Sequence, residues 1–185
     1  QEYRRVYQDM VQAMDDGVGQ IIRTLREQGV LDNTIIIYTS DNGGEKVAAE
    51  KYPGNNGFFR GAKGGAYEGG CRVPAIFYYP KAWGHRKTSE PMHCIDFMPT
   101  FLDMCNVKNP RKIDGVSMLP TLEKNVPMPQ RKLYSAETGF MTVTDGDWKC
   151  VWGKNDKMEL FNLMTDRNEE HDLSAMYPER VEGYK

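Results

Sequence analysis

The 185-residue sequence has no CxxC pair, no long apolar run and almost no excess of one charge. Its four cysteines, Cys71, Cys94, Cys105 and Cys150, are widely spaced. That spacing argues against zinc-ribbon and thioredoxin-type motifs and leaves disulfide pairing open. No apolar stretch approaches the ~20 residues a membrane helix needs, and no signal-peptide pattern opens the chain. A net charge of −2 gives no global attraction to nucleic acid or to an anionic membrane, so any anion site must be local. The sequence starts at Gln1 rather than Met and stops within YPERVEGYK, a helix-like stretch. Both ends therefore read as cuts in a longer polypeptide.

What is present suggests a layered α/β arrangement. From Tyr3 to Gln28, Val6, Met10, Met14, Val18, Ile21 and Leu25 recur at spacings of three and four, which predicts an amphipathic helix closed by Gly29. Asn33 and Thr34 lead into IIIYTS, a run that reads as a strand covered on both faces. A helix followed by a buried strand predicts a mainly parallel sheet. AIFYY, residues 75–79, suits another strand, and residues 81–93 read as a surface loop. Ile95 to Met104 predicts a second helix with Pro99 in its first turn, whereas residues 106–130, with four prolines, read as mostly irregular. KLYSAE, FMTVTD, WKCVWG and MELFNL then form a series of strand-like pieces, which predicts a small antiparallel sheet followed by a helix from about Leu173.

Two stretches carry potential chemistry. Ser40-Asp41-Asn42-Gly43-Gly44 directly follows the IIIYT strand, and ligands bind beyond the carboxyl ends of strands in open α/β sheets. Asp41 and Asn42 offer a carboxylate and an amide oxygen, donors suited to Ca²⁺ or Mg²⁺, although the same residues also make an ordinary turn. RGAKGGAYEGG, residues 60–70, places five glycines around Lys63, Tyr67 and Glu68. Its spacing is neither that of a P-loop nor GxGxxG, and it runs into a predicted strand rather than behaving as a linker. A tight loop remains, in which Tyr67 or Glu68 fixes the backbone and Lys63 either faces an anion or is simply solvated. His85 and His171 read as solvated, His93 as a helix cap or packing group, and Asp15-Asp16 as a polar-face pair. Trp148 and Trp152 read as packing residues.

In order along the chain, these stretches resemble the sulfatase family of the alkaline-phosphatase-like superfamily. The carriers are IIIYTSDNGG, RGAKGGAYEGGCRVPAIFYYP, IDFMPTFLDM with IDGVSMLPTL, GDWKCVW, and MELFNLMTDRNEEHDLS. The resemblance implies the C-terminal half of a sulfatase. The expected fold is a partial, mixed and mainly parallel α/β sheet with flanking helices, plus a small C-terminal antiparallel sheet and helix. It divides into residues 1–130, part of the catalytic domain, and 131–185, a small subdomain. It also implies Asp41 and Asn42 as metal ligands, usually to Ca²⁺ with Mg²⁺ as the alternative, and Lys63 as a sulfate contact. The expected nucleophile is a formylglycine made from Cys or Ser in a Cys/Ser-x-Pro-x-Arg segment, and no such segment occurs here. Nucleophile and remaining metal ligands are therefore expected in a missing N-terminal half, without which the chain is inert. The implied substrate is a sulfate ester, small or on a glycan, and family members are secreted, periplasmic or lysosomal. The same motifs leave open a phosphoesterase or phosphonate hydrolase, and a non-catalytic sulfatase-like fragment.

Overall fold

The computed structural model describes residues 2–45, 54–108, 111–137, 139–153 and 155–185. Helix α1 spans Glu2–Glu27, matching the apolar period. It stops because Gly29 takes a left-handed φ of +68°, which lets Val30 N–H reach the Leu25 carbonyl and Gly29 N–H that of Arg26. Asp16 accepts from Gln12 one turn earlier, as expected of a polar-face residue.

A short 3₁₀ turn, Leu31–Asn33, leads into β1, Ile36–Thr39, which pairs with β2, Ala75–Tyr78. Here the expectation of a mainly parallel sheet needs correction: the two strands run antiparallel, with Ile36 opposite Tyr78 and Thr39 opposite Ala75. The class remains mixed α/β. Nor is β1 covered on both faces. Its residues are half-buried or exposed, because among the described residues it has one strand neighbour and contact from α1 through Tyr38 and Met14. The β-branched run measures what the strand is suited to pack against, not what this chain supplies.

Helix α1 is uncovered too. None of its residues is buried, and Tyr3, Val6, Met10, Met14 and Ile21 are exposed apolar groups. The accessible surface is 13183 Å², against roughly 9,100 Å² for a compact monomer of this mass. Between α1 and the β-pair lies a groove of about 530 Å³ lined by Tyr7, Val11, Met14, Val18, Tyr38 and Ile76.

Beyond β2, a 3₁₀ turn at Cys94–Asp96 runs into α3, Phe97–Met104, with Pro99 in its first turn. His93 caps this start: its ring accepts from Ile95 N–H, while Asp96 accepts from the His93 amide. The buried Asp96 also accepts from Val116 N–H and pairs with Arg131 through both carboxylate oxygens. Burial works against its charged form, but these donors outweigh burial and hold the carboxyl below its ordinary value. The stretch expected to be irregular contains one further helix, α4, Leu119–Lys124, where Pro120 fits the first turn without losing a hydrogen bond.

The C-terminal strands follow the sequence closely. β3, Lys132–Glu137, β4, Phe140–Asp145, β5, Trp148–Trp152, and β6, Met158–Asn162, form an antiparallel meander in chain order. Period-two alternation gives the sheet two working faces. On one, Val143, Cys150 and Leu160 pack with Tyr177, Val181 and Tyr184. On the other, Val151 and Phe161 pack on Ala66 and Tyr67 of the glycine-rich loop. Trp148 packs edge-on to Tyr177, as a packing residue should. The closing helix, α5, begins at Pro178 rather than near Leu173. Leu173 is drawn instead to β6, donating its amide to the Leu160 carbonyl.

Candidate functional site

Two loops meet at the carboxyl end of β1. The first, residues 40–44, presents Asp41 exposed and Asn42 half-buried. Ser40 closes this turn by donating its hydroxyl to the Asn42 carbonyl at 2.9 Å, and the Asn42 amide donates to the Gly43 carbonyl. That leaves the Asn42 side-chain oxygen and the Asp41 carboxylate without a protein donor among the described residues. A carboxylate and an amide oxygen on consecutive residues supply part of a hard-cation shell, which takes 6–8 oxygen ligands for Ca²⁺. They are not a complete one, and among the described residues no group of three or more His, Cys, Asp or Glu could hold a metal.

The second loop carries Lys63, exposed and without an ion-pair partner among the described residues. Gly64 follows it with a φ of +77°, a left-handed turn favouring glycine. Backbone contacts press the two loops together: Gly43 donates to the Gly70 carbonyl at 2.9 Å, and Lys63 donates to the Gly44 carbonyl at 3.2 Å. The approach needs glycine, because a Cβ on Gly43 would lie 1.8 Å from the Gly69 carbonyl oxygen.

Asn56 staples the same junction. Its side-chain oxygen accepts from Gly44 N–H at 2.8 Å, and its amide donates to the carbonyls of Gly44 and Gly61 at 3.0 and 3.1 Å. One side chain thus ties the Asp41–Asn42 loop to the Lys63 loop. Sequence reasoning missed it, although an Asn beside two glycine-bearing loops is a residue whose amide can serve three backbone groups.

Beneath Lys63, residues Glu68–Cys71 make one helical turn, α2, whose glycines lie against the loop. Gly69 donates to the Arg60 carbonyl, and a Cβ on Gly70 would sit 2.3 Å from the Gly65 oxygen. Tyr67 and Glu68 both fix the backbone, as the sequence suggested of either. The Tyr67 hydroxyl donates to Glu159 and accepts from Arg60. Burial, followed by the Glu159 hydrogen bond, pushes that phenol up to about 12. Glu68 is buried and pairs with Lys149 at 2.9 Å and Arg72 at 2.5 Å. Burial alone would raise its carboxyl, yet the two cations hold it below the ordinary value.

Residues 1–107 match the family model described as Sulfatase. The chain belongs to the sulfatase family. It is 35% identical over 167 residues to N-acetylgalactosamine-6-sulfatase of Mus musculus, covering 86% of the chain and 32% of that relative. To N-acetylglucosamine-6-O-sulfatase of Bacteroides thetaiotaomicron it is 34% identical over 188 residues, covering 94% of the chain and 32% of the relative. Among solved structures it superimposes with a TM-score of 0.86 on Ps i-CgsB in complex with k-i-k-neocarrahexaose. That comparison has 30% identity and covers 98% of the chain and 41% of the other. The sulfatase chain thus spans about a third of the length of the curated relatives it matches.

Within this sulfatase chain, Asp41, Asn42 and Lys63 lie on loops hydrogen-bonded to one another. The histidines stand apart: His85 and His171 are exposed, and His93 serves as the cap described above.

Proposed function

We propose that this chain forms the metal-and-lysine part of a sulfuric ester hydrolase. The observation that carries the reading is the junction of the two loops, whose backbone hydrogen bonds join the segment bearing Asp41 and Asn42 to the one bearing Lys63, an ammonium without an ion-pair partner among the described residues. Asp41 and Asn42 serve as two ligands of a divalent cation, Ca²⁺ or Mg²⁺. When bound, that cation supplies positive charge that polarises the sulfuryl group. Lys63 donates to a non-bridging sulfuryl oxygen and offsets negative charge as the ester bond breaks. Glycine backbone holds the lysine at a fixed entry angle, so little reorganisation is needed when charge develops. A formylglycine nucleophile and the other cation ligands come from the rest of the protein, which also covers α1 and the β-pair.

The relatives named for sulfated hexosamines support a sulfated glycan or a smaller sulfate ester as the substrate class. A secreted, periplasmic or lysosomal setting accompanies this reading. The test is turnover of 4-nitrophenyl sulfate and 4-nitrophenyl phosphate by the complete gene product. Sulfate hydrolysis should dominate, disappear on removal of divalent metal and return when Ca²⁺ or Mg²⁺ is added. Lys63→Ala should lower kcat by about 100-fold or more. A phosphate preference, or unchanged turnover in Lys63→Ala, overturns the reading.

A further inference from the structure

Glu169, far along the chain, ties both ends of the lysine loop. Its backbone carbonyl accepts from Arg60 Nη1 at 2.7 Å, where the loop begins. Its carboxylate Oε2 accepts from the Glu68 amide at 2.6 Å, where the loop ends. The other oxygen, Oε1, has no aligned hydrogen bond but lies 3.0 Å from Lys149 Nζ, held by charge. Lys149 in turn bridges to Glu68, so two carboxylates share one ammonium with almost no exposure: 0% for Glu169, 6% for Glu68 and 1% for Lys149.

The chain is bent to allow this. Glu169 has a left-handed φ of +56°, uncommon for a residue with a side chain. The turn is held by Asp166, whose carboxylate accepts from the amides of Glu170 and His171 while its carbonyl accepts from Glu169 N–H. Those amide donors overcome the effect of burial and keep the Asp166 carboxyl below its ordinary value. Arg60 is steadied by stacking 3.8 Å above the Tyr67 ring.

A buried ion cluster is a weak source of stability, because desolvation offsets most of its attraction. What it supplies here is geometry. Between the two ties lie Gly61 to Tyr67, with Lys63 at the exposed bend, and α2 presses its glycines against that segment from below.

Resting on the proposed sulfate contact of Lys63, we infer that Glu169, with Lys149 as its counter-ion, is a positioning residue. It clamps Arg60 and Glu68 so that the loop between them presents Lys63 at one fixed angle. Glu169 does not touch substrate; it acts through Lys63.

A double-mutant cycle in the complete gene product tests this, using 4-nitrophenyl sulfate, thermal melting and the concentration of Ca²⁺ needed for half-activity. Glu169→Gln keeps the side-chain shape but weakens the hold on Glu68 N–H and on Lys149. It should lower kcat by about ten-fold or more, since small misplacements of a catalytic group cost up to roughly 100-fold. The KM and the Ca²⁺ requirement should stay within about two-fold of the parent protein. Added to Lys63→Ala, it should cause no further loss, because two residues acting through one group are not additive. A purely structural role would instead multiply the two losses, and that result overturns the inference. So does Glu169→Gln with unchanged kcat alongside an impaired Lys63→Ala, which leaves the reading of Lys63 intact. Unchanged turnover in Lys63→Ala overturns that reading and this inference together. For a Glu169→Gln protein that does not fold, Arg60→Lys, which cuts the other tie and keeps the charge, carries the same cycle with the same outcomes.

Discussion

Gly43 and Gly70 are joined by a 2.9 Å hydrogen bond, and through it the loop bearing Asp41 and Asn42 rests on the turn beneath Lys63. The contact leaves no room for a side chain, since a Cβ on Gly43 would overlap the neighbouring Gly69 carbonyl. Gly43→Ala should therefore separate the loops. We expect turnover to fall by about 100-fold with a loss of roughly 2–4 kcal/mol in stability, as overpacking and backbone shift combine. Gly64→Ala is the contrasting variant. Its Cβ enters open space, and only the left-handed φ opposes it, at a cost of about 1 kcal/mol. Parallel melting curves and kinetics of the two variants check the difference.

Asn56 should behave as a linker between the two loops rather than as a core residue. Asn56→Ala removes three hydrogen bonds at once, two of them to Gly44. At about 1 kcal/mol each the stability loss is roughly 2–3 kcal/mol. Asn56→Asp retains the acceptor for Gly44 N–H but loses both donors, so it should be impaired to an intermediate degree. Chemical denaturation of the three proteins ranks them.

The Asp96–Arg131 pair predicts a pH dependence. Asp96 has a lowered carboxyl in the folded protein, so its contribution is present above the ordinary carboxylate value, near 3.9, and is lost as pH falls through the lower folded value. Replacing it with Asn leaves Arg131 without its carboxylate in a largely buried place, at a cost of about 3–5 kcal/mol. The Asp96→Asn protein should be less stable near neutrality and show a smaller decline on acidification below about pH 4. Urea midpoints measured across that range decide it. Equal slopes in the two proteins count against the assignment.

The uncovered apolar groups of α1 and the β-pair predict how the 185-residue chain behaves by itself. Exposed apolar patches of this kind drive association. The isolated chain should bind ANS strongly and elute above its monomer mass, whereas the complete gene product should bind ANS weakly. Replacing Met10 and Ile21 together with Gln should reduce ANS binding by the isolated chain.

How much of this was legible in the sequence depends on how local each determinant is. The four strands of the meander and the first helix follow from period and turn residues within a few positions, and all five lie where those patterns place them. The direction of the β1–β2 pair did not follow, because an all-apolar run states that a strand is suited to burial and says nothing of its neighbour's sense. Leu173 carries a helix-like neighbourhood, yet its amide is taken by Leu160, a tertiary bond that overrides propensity. For the site, Asp41, Asn42 and Lys63 stand out because their residue types suggest chemistry. Asn56 does not, because its role is to satisfy backbone groups in two segments flanking its own, at Gly44 and Gly61. Glu169 is harder still. It looks like one more exposed acid in a charged stretch, and only the fold reveals that it is buried against Glu68.

The bond from Glu68 to Glu169 spans 101 residues of sequence. During synthesis the ribosome must therefore add another hundred or so residues after the lysine loop emerges before that loop acquires its anchor. At roughly 5–20 residues per second, the delay is about 5–20 s. Throughout that interval the Lys63 loop has its contacts with Asn56 and Gly43–Gly44 within reach but lacks this tie, and a product terminated before Glu169 never gains it. On the proposed reading, the alignment of Lys63 thus waits on a segment translated about a hundred residues after the loop it anchors.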